Sequence, residues 1–481
     1  MPILAAYMVP HPPMIIPGIG RGSEEQIAET TAAYRRAAEE IAALEPETVI
    51  IASPHSVMYA DWFHISPGRK ASGDFSVYRA PDVAFHEEYD TELVQKICDL
   101  AEERDLPMGT MGERDPALDH GTMIPLYFIE QFFHDFRIVR IGLSGLPLTA
   151  HYEAGMAIRD AVKETGRRAV FVGSGDLSHK LKTYGPYGFA PEGPEYDERI
   201  MDVCGRAAFG ELFEFDESFC EKAAECGHRS FVMMAGALDG MAVRTERLSH
   251  QDVTGVGYGI CTFTVTGKDS GRHFLAQYLE KEEREASARQ QDEDPLVRLA
   301  RSSVESIVNT GKKLRIPEWV SAGTGPVKQS SAGTDDAAQM TNERACVFVS
   351  IHEHGRLRGC IGTILPVTDC IAQEIIDNAV SAATRDPRFE PIRPDELKYL
   401  DISVDVLTAP ERIPGPEYLD VKRYGVIVSA KDPRDRRRGL LLPDLDGVDT
   451  VEEQISIARQ KAGLSEDEPV ILERFEVIRH H

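Results

Sequence analysis

The chain has 481 residues, 42% of them hydrophobic and 27% charged, with a formal net charge of −26. That length supports two or three domains with separate cores, and the acidic balance argues against a nucleic-acid partner, whose phosphates would be repelled. No apolar run approaches the roughly 20 residues needed to cross a bilayer, and nothing at the start reads as an export signal. The expectation is therefore a cytoplasmic protein with no membrane partner.

In chain order, Met1–Val9 reads as a strand that runs into Pro10-His11-Pro12-Pro13. Ser23 and Gln26 read as a capping box opening the first helix, with Ile27, Tyr34, Ala38 and Ile41 near helical spacing. Thr48–Ala52 reads as a second strand, followed by Ser53-Pro54-His55-Ser56. Asp119-His120-Gly121-Thr122 precedes a strand at Arg137–Leu143, and Gly175-Asp176-Leu177-Ser178-His179 follows one at Arg168–Val172. Glu225-Cys226-Gly227-His228 comes next, then a strand at Gly257–Val265. Short strands alternating with helices predict an α/β domain over 1–268, with a mainly parallel or mixed sheet covered by helices on both faces.

The rhythm breaks at Asp269. Charged Lys281-Glu282-Glu283-Arg284-Glu285 reads as a solvated helix or a linker, which places a linker at 269–293 and a second domain at 294–481. Asp294-Pro295 reads as an N-cap with proline at the first helical position. Ser321–Thr341 is rich in Gly, Ser, Ala and Thr and reads as a long loop. Beyond it the pattern gives strands at Cys346–Ile351, Asp401–Leu407 and Val426–Ser429, and a helix at Asp369–Thr384. A helix capped by Thr450 and Glu453 and a final strand, Val470–Ile478, complete an α+β or α/β domain. The eight cysteines show no CxxC pair and no zinc-ribbon spacing, and most are expected to be reduced and buried.

The histidines His11, His55, His120 and His179 stand out because each sits beside Pro, Gly or Ser at the end of an element, where α/β folds place their chemistry. His64, His86, His134, His151 and His250 lack that setting and are read as surface or supporting residues. Imidazoles with one carboxylate suit a borderline divalent metal such as Fe(II). These motifs resemble the class III extradiol dioxygenase superfamily, the LigB-like fold that also includes the Memo proteins, over roughly Met1–Lys268. The resemblance implies a metal held by His11 and His55. It implies a third ligand that is a glutamate in the dioxygenases and a cysteine in the Memo branch. Glu225 and Cys226 are adjacent here, so both stand as candidates, with Glu225 the leading one. The carboxylate would favour Fe(II) and oxygen chemistry, the thiolate copper, zinc or a different role for iron. The resemblance further implies catalytic roles for His120 and His179. Asp176 could orient His179 and hold its tautomer, and His228 is a candidate substrate contact. A catechol-type substrate must lose protons to chelate a metal, and neutral imidazoles suit that task.

In the second domain, Arg358-Gly359-Cys360-Ile361-Gly362, Thr384-Arg385-Asp386-Pro387-Arg388-Phe389 and Arg438-Gly439-Leu440-Leu441-Leu442-Pro443 resemble the AMMECR1 family. Arg358 could activate Cys360 as a nucleophile, with His352 and His354 nearby in sequence; a structural cysteine in a tight turn is the plainer reading. The joint expectation is a non-haem Fe(II) metalloenzyme, extradiol-dioxygenase-like, acting on a small aromatic compound. The alternative is a Memo-like metal-binding, redox or interaction protein without ring cleavage, working beside a radical-SAM partner. Homodimerisation follows from the resemblance alone.

Overall fold

The computed structural model describes residues 3–114, 116–321, 340–353, 356–432, 434–445 and 447–481. Most of the loop expected at Ser321–Thr341, and His354, lie outside those residues. The chain divides into two compact units, Met1–Leu279 and Glu280–His481. The division falls within one helix, Phe274–Asp292.

In the first unit, the strands Arg137–Gly142, Thr48–Ser53, Ala169–Ser174 and Ile3–Val9 lie side by side and parallel. Tyr258–Lys268 and Met241–Gln251 extend the sheet antiparallel, giving a mixed sheet of six strands. The central strands are buried along their whole length because helices cover both faces. Ala6, Met8, Ile50 and Ala52 point into a core with Ile158 and Val162 of helix Leu148–Thr165 and with Phe231 and Met234 of helix His228–Ala237. Alternate residues Tyr7, Val9, Val49 and Ile51 point the other way, onto Tyr34 and Ile41 of helix Ala28–Leu44 and Ile124 and Phe128 of helix His120–Ile129. Period-two alternation thus serves two cores at once.

Several local expectations need correction. Ser23 forms no capping box; its hydroxyl donates to the Gly20 carbonyl, Ser23–Ile27 is a 3-10 turn, and the helix begins at Ala28. Of the histidines read as surface or supporting residues, His64 and His151 are buried. The antiparallel hairpin Lys70–Phe75/Ala80–Glu88 and the strand Met241–Gln251 carry little apolar alternation and escape a sequence reading.

The second unit is an α+β domain with two antiparallel four-stranded sheets. Arg356–Gly362, Cys346–Glu353, Leu400–Leu407 and Val477–His480 form one, covered by helices Pro295–Thr310 and Ile371–Thr384 through Val349, Leu299 and Ile375. Glu411–Ile413, Val470–Phe475, Gly425–Ala430 and Arg438–Leu441 form the other, under helix Val451–Ala462. Asp294 caps its helix with proline following, and Thr450 with Glu453 makes the expected capping box. The final strand expected at Val470–Ile478 is two strands in different sheets, the chain changing sheets at Glu476.

Candidate metal centre

Three parallel strands end on one edge of the six-stranded sheet, and each delivers part of the site. His11 lies two residues beyond Val9, His55 two beyond Ser53, and Asp176 two beyond Ser174. His120 opens the helix His120–Ile129, whose N-cap is Asp119. The Asp119 carboxylate accepts from the Thr122 amide (3.0 Å), the Thr122 hydroxyl (2.8 Å) and the Ser53 hydroxyl (2.6 Å), tying the His120 helix to the turn that carries His55. Buried Arg140 stands 3.8 Å from Asp119 and donates to Ser66 Oγ and the Ala117 carbonyl, fixing the approach to His120. Cys226 comes from the loop before helix His228–Ala237. Gly175 and Gly227 let that loop approach, since a Cβ on Gly175 would sit 2.1 Å from the Gly227 Cα.

The result is a tight donor cluster. His11 Nε2 lies 3.0 Å from His55 Nε2 and 3.5 Å from Cys226 Sγ, and the three ligand atoms all fall within 4.8 Å of one another. His11 is buried, Cys226 half-buried and His55 exposed, so the cluster opens to solvent on one side. Glu225 is turned elsewhere: its carboxylate accepts the His228 amide at 2.6 Å. The His120 ring lies 4.1 Å from that of His55, centroid to centroid, and 5.3 Å from that of His11. His179 stacks on Tyr187 at 5.0 Å, and its Nε2 is buried with no hydrogen-bond partner among the described residues. Asp176 does not act as expected on His179; it accepts the main-chain N–H of His11 at 2.8 Å. Its reach goes back across the sheet edge, to the residue after Pro10, rather than forward along its own loop. His228, read as a substrate contact, is a core residue that meets the Leu212 carbonyl (3.0 Å) and the Tyr196 hydroxyl (3.3 Å).

Burial sets the protonation of this cluster. It holds His11 well below the ordinary imidazole value, with His55, His120 and His179 adding to the effect. His120 and His179 fall to about 4, again through burial first. At neutral pH these rings are uncharged and offer lone pairs. Burial pushes the Cys226 thiol well above its ordinary value, with Asp176 and Glu225 adding to it, and raises Asp176 and Glu225 to about 7. Two imidazole nitrogens and one sulfur converging in this way fit a borderline or soft metal ion.

Four contributors were not legible as site residues. Ser174 and Arg140 sit inside apolar strands, Tyr78 follows an unrecognised hairpin strand, and Tyr187 lies in a polar loop. Tyr78 faces His120 edge-on at 6.2 Å. The signal for Ser174 is its place as the last residue of a buried strand, directly before Gly175-Asp176.

The first two AMMECR1-like motifs of the second unit also meet in space. The Cys360 amide donates to Asp386 at 2.9 Å, Arg388 donates to the Cys360 carbonyl at 3.2 Å and to Asp386 at 2.7 Å, and Ser350 donates to Cys360 Sγ at 3.3 Å. Arg358, expected to activate the thiol, instead pairs with Glu396 at 2.7 Å and donates to the Glu390 carbonyl. Arginines also cluster at 434 and 436–438, where Arg437 pairs with Asp435 and Glu468, and Arg438 with Glu473.

Comparison with known proteins agrees with both halves. Residues 5–261 match the family described as the catalytic LigB subunit of aromatic ring-opening dioxygenase, and residues 297–480 match AMMECR1. The chain belongs to the LigB family and carries an AMMECR1 domain in the same polypeptide. That family includes oxygenases and is usually metal-dependent. Protein CA_C1420 of Clostridium acetobutylicum is 39% identical over 483 residues, covering 98% of each chain. A Thermotoga maritima protein is 44% identical over 190 residues, which is 39% of this chain and 98% of that one. Among solved structures, protein PH0010 of Pyrococcus horikoshii is 30% identical and covers 38% of this chain and 88% of its own, with a TM-score of 0.31. Among the described residues no helix is long and apolar enough to cross a membrane.

Proposed function

We propose that the first unit is a mononuclear metal centre held by His11, His55 and Cys226, with Glu225 outside the ligand set. The observation that carries this reading is the convergence of His11 Nε2, His55 Nε2 and Cys226 Sγ within 4.8 Å while the Glu225 carboxylate is engaged by the His228 amide. A thiol in the third position is the arrangement the Memo resemblance implies, and it favours copper, zinc or a redox role for iron over carboxylate-ligated Fe(II). Bound there, a metal would supply the positive charge that activates a chelating substrate.

The second reading keeps oxygenase chemistry on a small aromatic compound, with Fe(II) as the metal. Neutral His120 and His179 favour it: with depressed basicity they accept a phenolic proton only transiently and return it readily. Tyr78 beside His120 and Tyr187 beside His179 supply flanking rings against which a planar substrate would stack. Asp119, locked by Ser53 and Thr122, holds His120 in place during such a transfer.

Elemental analysis of anaerobically purified protein, beside His11→Ala, tests the first reading. Near-stoichiometric metal that the variant loses is expected; metal indifferent to His11 would overturn it. Oxygen uptake with a panel of catechols on the iron-loaded protein then separates the two readings.

A further inference from the structure

The ring of His11 has one more partner than a metal ligand needs, and that partner fixes its chemistry. His11 Nδ1 lies 2.9 Å from Ser174 Oγ, and Ser174 Oγ lies 2.6 Å from the Gly121 carbonyl oxygen. Ser174 is fully buried at the end of its strand. A hydroxyl has one proton to give, and a carbonyl oxygen can only accept. At 2.6 Å the Ser174 proton must lie between the two oxygens, because two unshared lone pairs at that distance would repel. Ser174 is then left with lone pairs alone toward His11, so the proton in the second contact belongs to Nδ1. The Nε2 lone pair is thereby bare, and it is Nε2 that faces His55 and Cys226. Asp176, two residues on, accepts the His11 main-chain N–H. One strand end therefore grips both the ring and the backbone of the same histidine.

The far end of this chain of hydrogen bonds matters as much. Gly121 follows His120 in the first turn of its helix. A side chain there would strike Ser53 Oγ at 2.4 Å, so the turn sits as close to the strand ends as a glycine permits. Ser174 thus bridges the His11 ring and the turn that presents His120.

We propose that Ser174 is the positioning residue of this site: it fixes His11 as the Nδ1–H tautomer, presents Nε2 to the metal, and locks His11 to the His120 turn. The proposal rests on the reading of His11 as a ligand. Metal-ligating histidines commonly give their second nitrogen to a carboxylate or main-chain carbonyl, and loss of such a partner lowers metal affinity about 10–100-fold. Here a serine stands between the imidazole and the carbonyl, which makes the arrangement specific to a residue that can donate and accept at once.

The test uses the full chain with cobalt(II) as the metal probe. Nitrogen-15 NMR of the metal-free wild type reports the His11 tautomer with no substitution; Nδ1–H is expected, and Nε2–H at His11 would overturn the proposal. Ser174→Ala should bind cobalt about 10–100-fold more weakly and lose the single tautomer, while Ser174→Thr, which keeps the hydroxyl, should recover both. Wild-type affinity and tautomer in a folded Ser174→Ala protein would also overturn it. If His11→Ala binds cobalt as tightly as wild type, the metal-site reading fails instead, and the NMR result still decides the tautomer on its own.

Discussion

The two motif clusters of this chain look alike in sequence and differ in how completely their groups are satisfied. In the second unit Arg358 is matched by Glu396 and Arg388 by Asp386, and both main-chain groups of Cys360 are taken by side chains. In the first unit neutral imidazoles and a thiol converge, and His179 keeps a buried nitrogen without a hydrogen-bond partner among the described residues. A folded protein rarely leaves such groups unmatched without a use for them. The contrast is what the proposed metal centre in the first cluster, beside an architectural second cluster, would produce.

The sharpest way to break that contrast is to replace the neighbours at 225 and 226 one at a time. Cys226→Ala should abolish metal retention, a loss of more than about 100-fold in affinity, whereas Glu225→Gln should keep it. Metal analysis that gave the reverse order would return the carboxylate to the ligand set.

The second prediction concerns acid. His228 and His151 are buried neutral, held down to about 4 and about 3 by burial. The unfolded chain takes up these protons near its ordinary value of 6.5, the folded chain only near 4 or below, so acidification favours unfolding across that window. By pH 5 this amounts to about 2 kcal/mol for each group. Asp386 works in the same direction but at lower pH: hydrogen bonds from Arg388 hold it well below the carboxylate range, so its contribution is intact at pH 5 and is lost only as the pH falls below its ordinary value of 3.8. Segment-resolved hydrogen exchange at pH 7 and pH 5 should therefore show protection falling in the first unit first. Equal loss in both would remove the distinction.

A smaller effect is expected from Asp386→Ala. Removing a charged acceptor that serves both Cys360 and Arg388 costs about 2 kcal/mol, which urea unfolding of the full chain would register without any change in metal content. The smallest effect is at Cys360: site-resolved alkylation at neutral pH should run no faster than that of a free thiol. A clear acceleration would bring chemistry back to the second unit.

Much of the first site could be read from sequence because parallel strands end together. His11 and His55 follow the C-terminal ends of the two buried parallel strands that flank Ala169–Ser174, so their proximity is built into the topology. The choice between Glu225 and Cys226 was not legible, since adjacent residues point apart and only the capture of Glu225 by the His228 amide decides which turns inward. Arg140 escaped because a single arginine in an apolar strand reads as an edge or an exposure, whereas it is buried beside Asp119. His228 shared the setting of the other motif histidines, but its ring faces the core. The sheet change at Glu476 is a tertiary event within a continuous run of strand-forming residues.

One feature of the second unit reaches beyond its own stability. The strand Arg356–Gly362 is the outermost of its sheet, and an open strand border is a template on which another polypeptide can assemble. At Cys360, Asp386 takes the N–H and Arg388 serves the carbonyl, so two side chains imitate the missing neighbour strand. The Arg385-Asp386-Pro387-Arg388 turn is thus a plug against aggregation, and its loss would first be seen as self-association at concentrations where the intact chain stays dispersed.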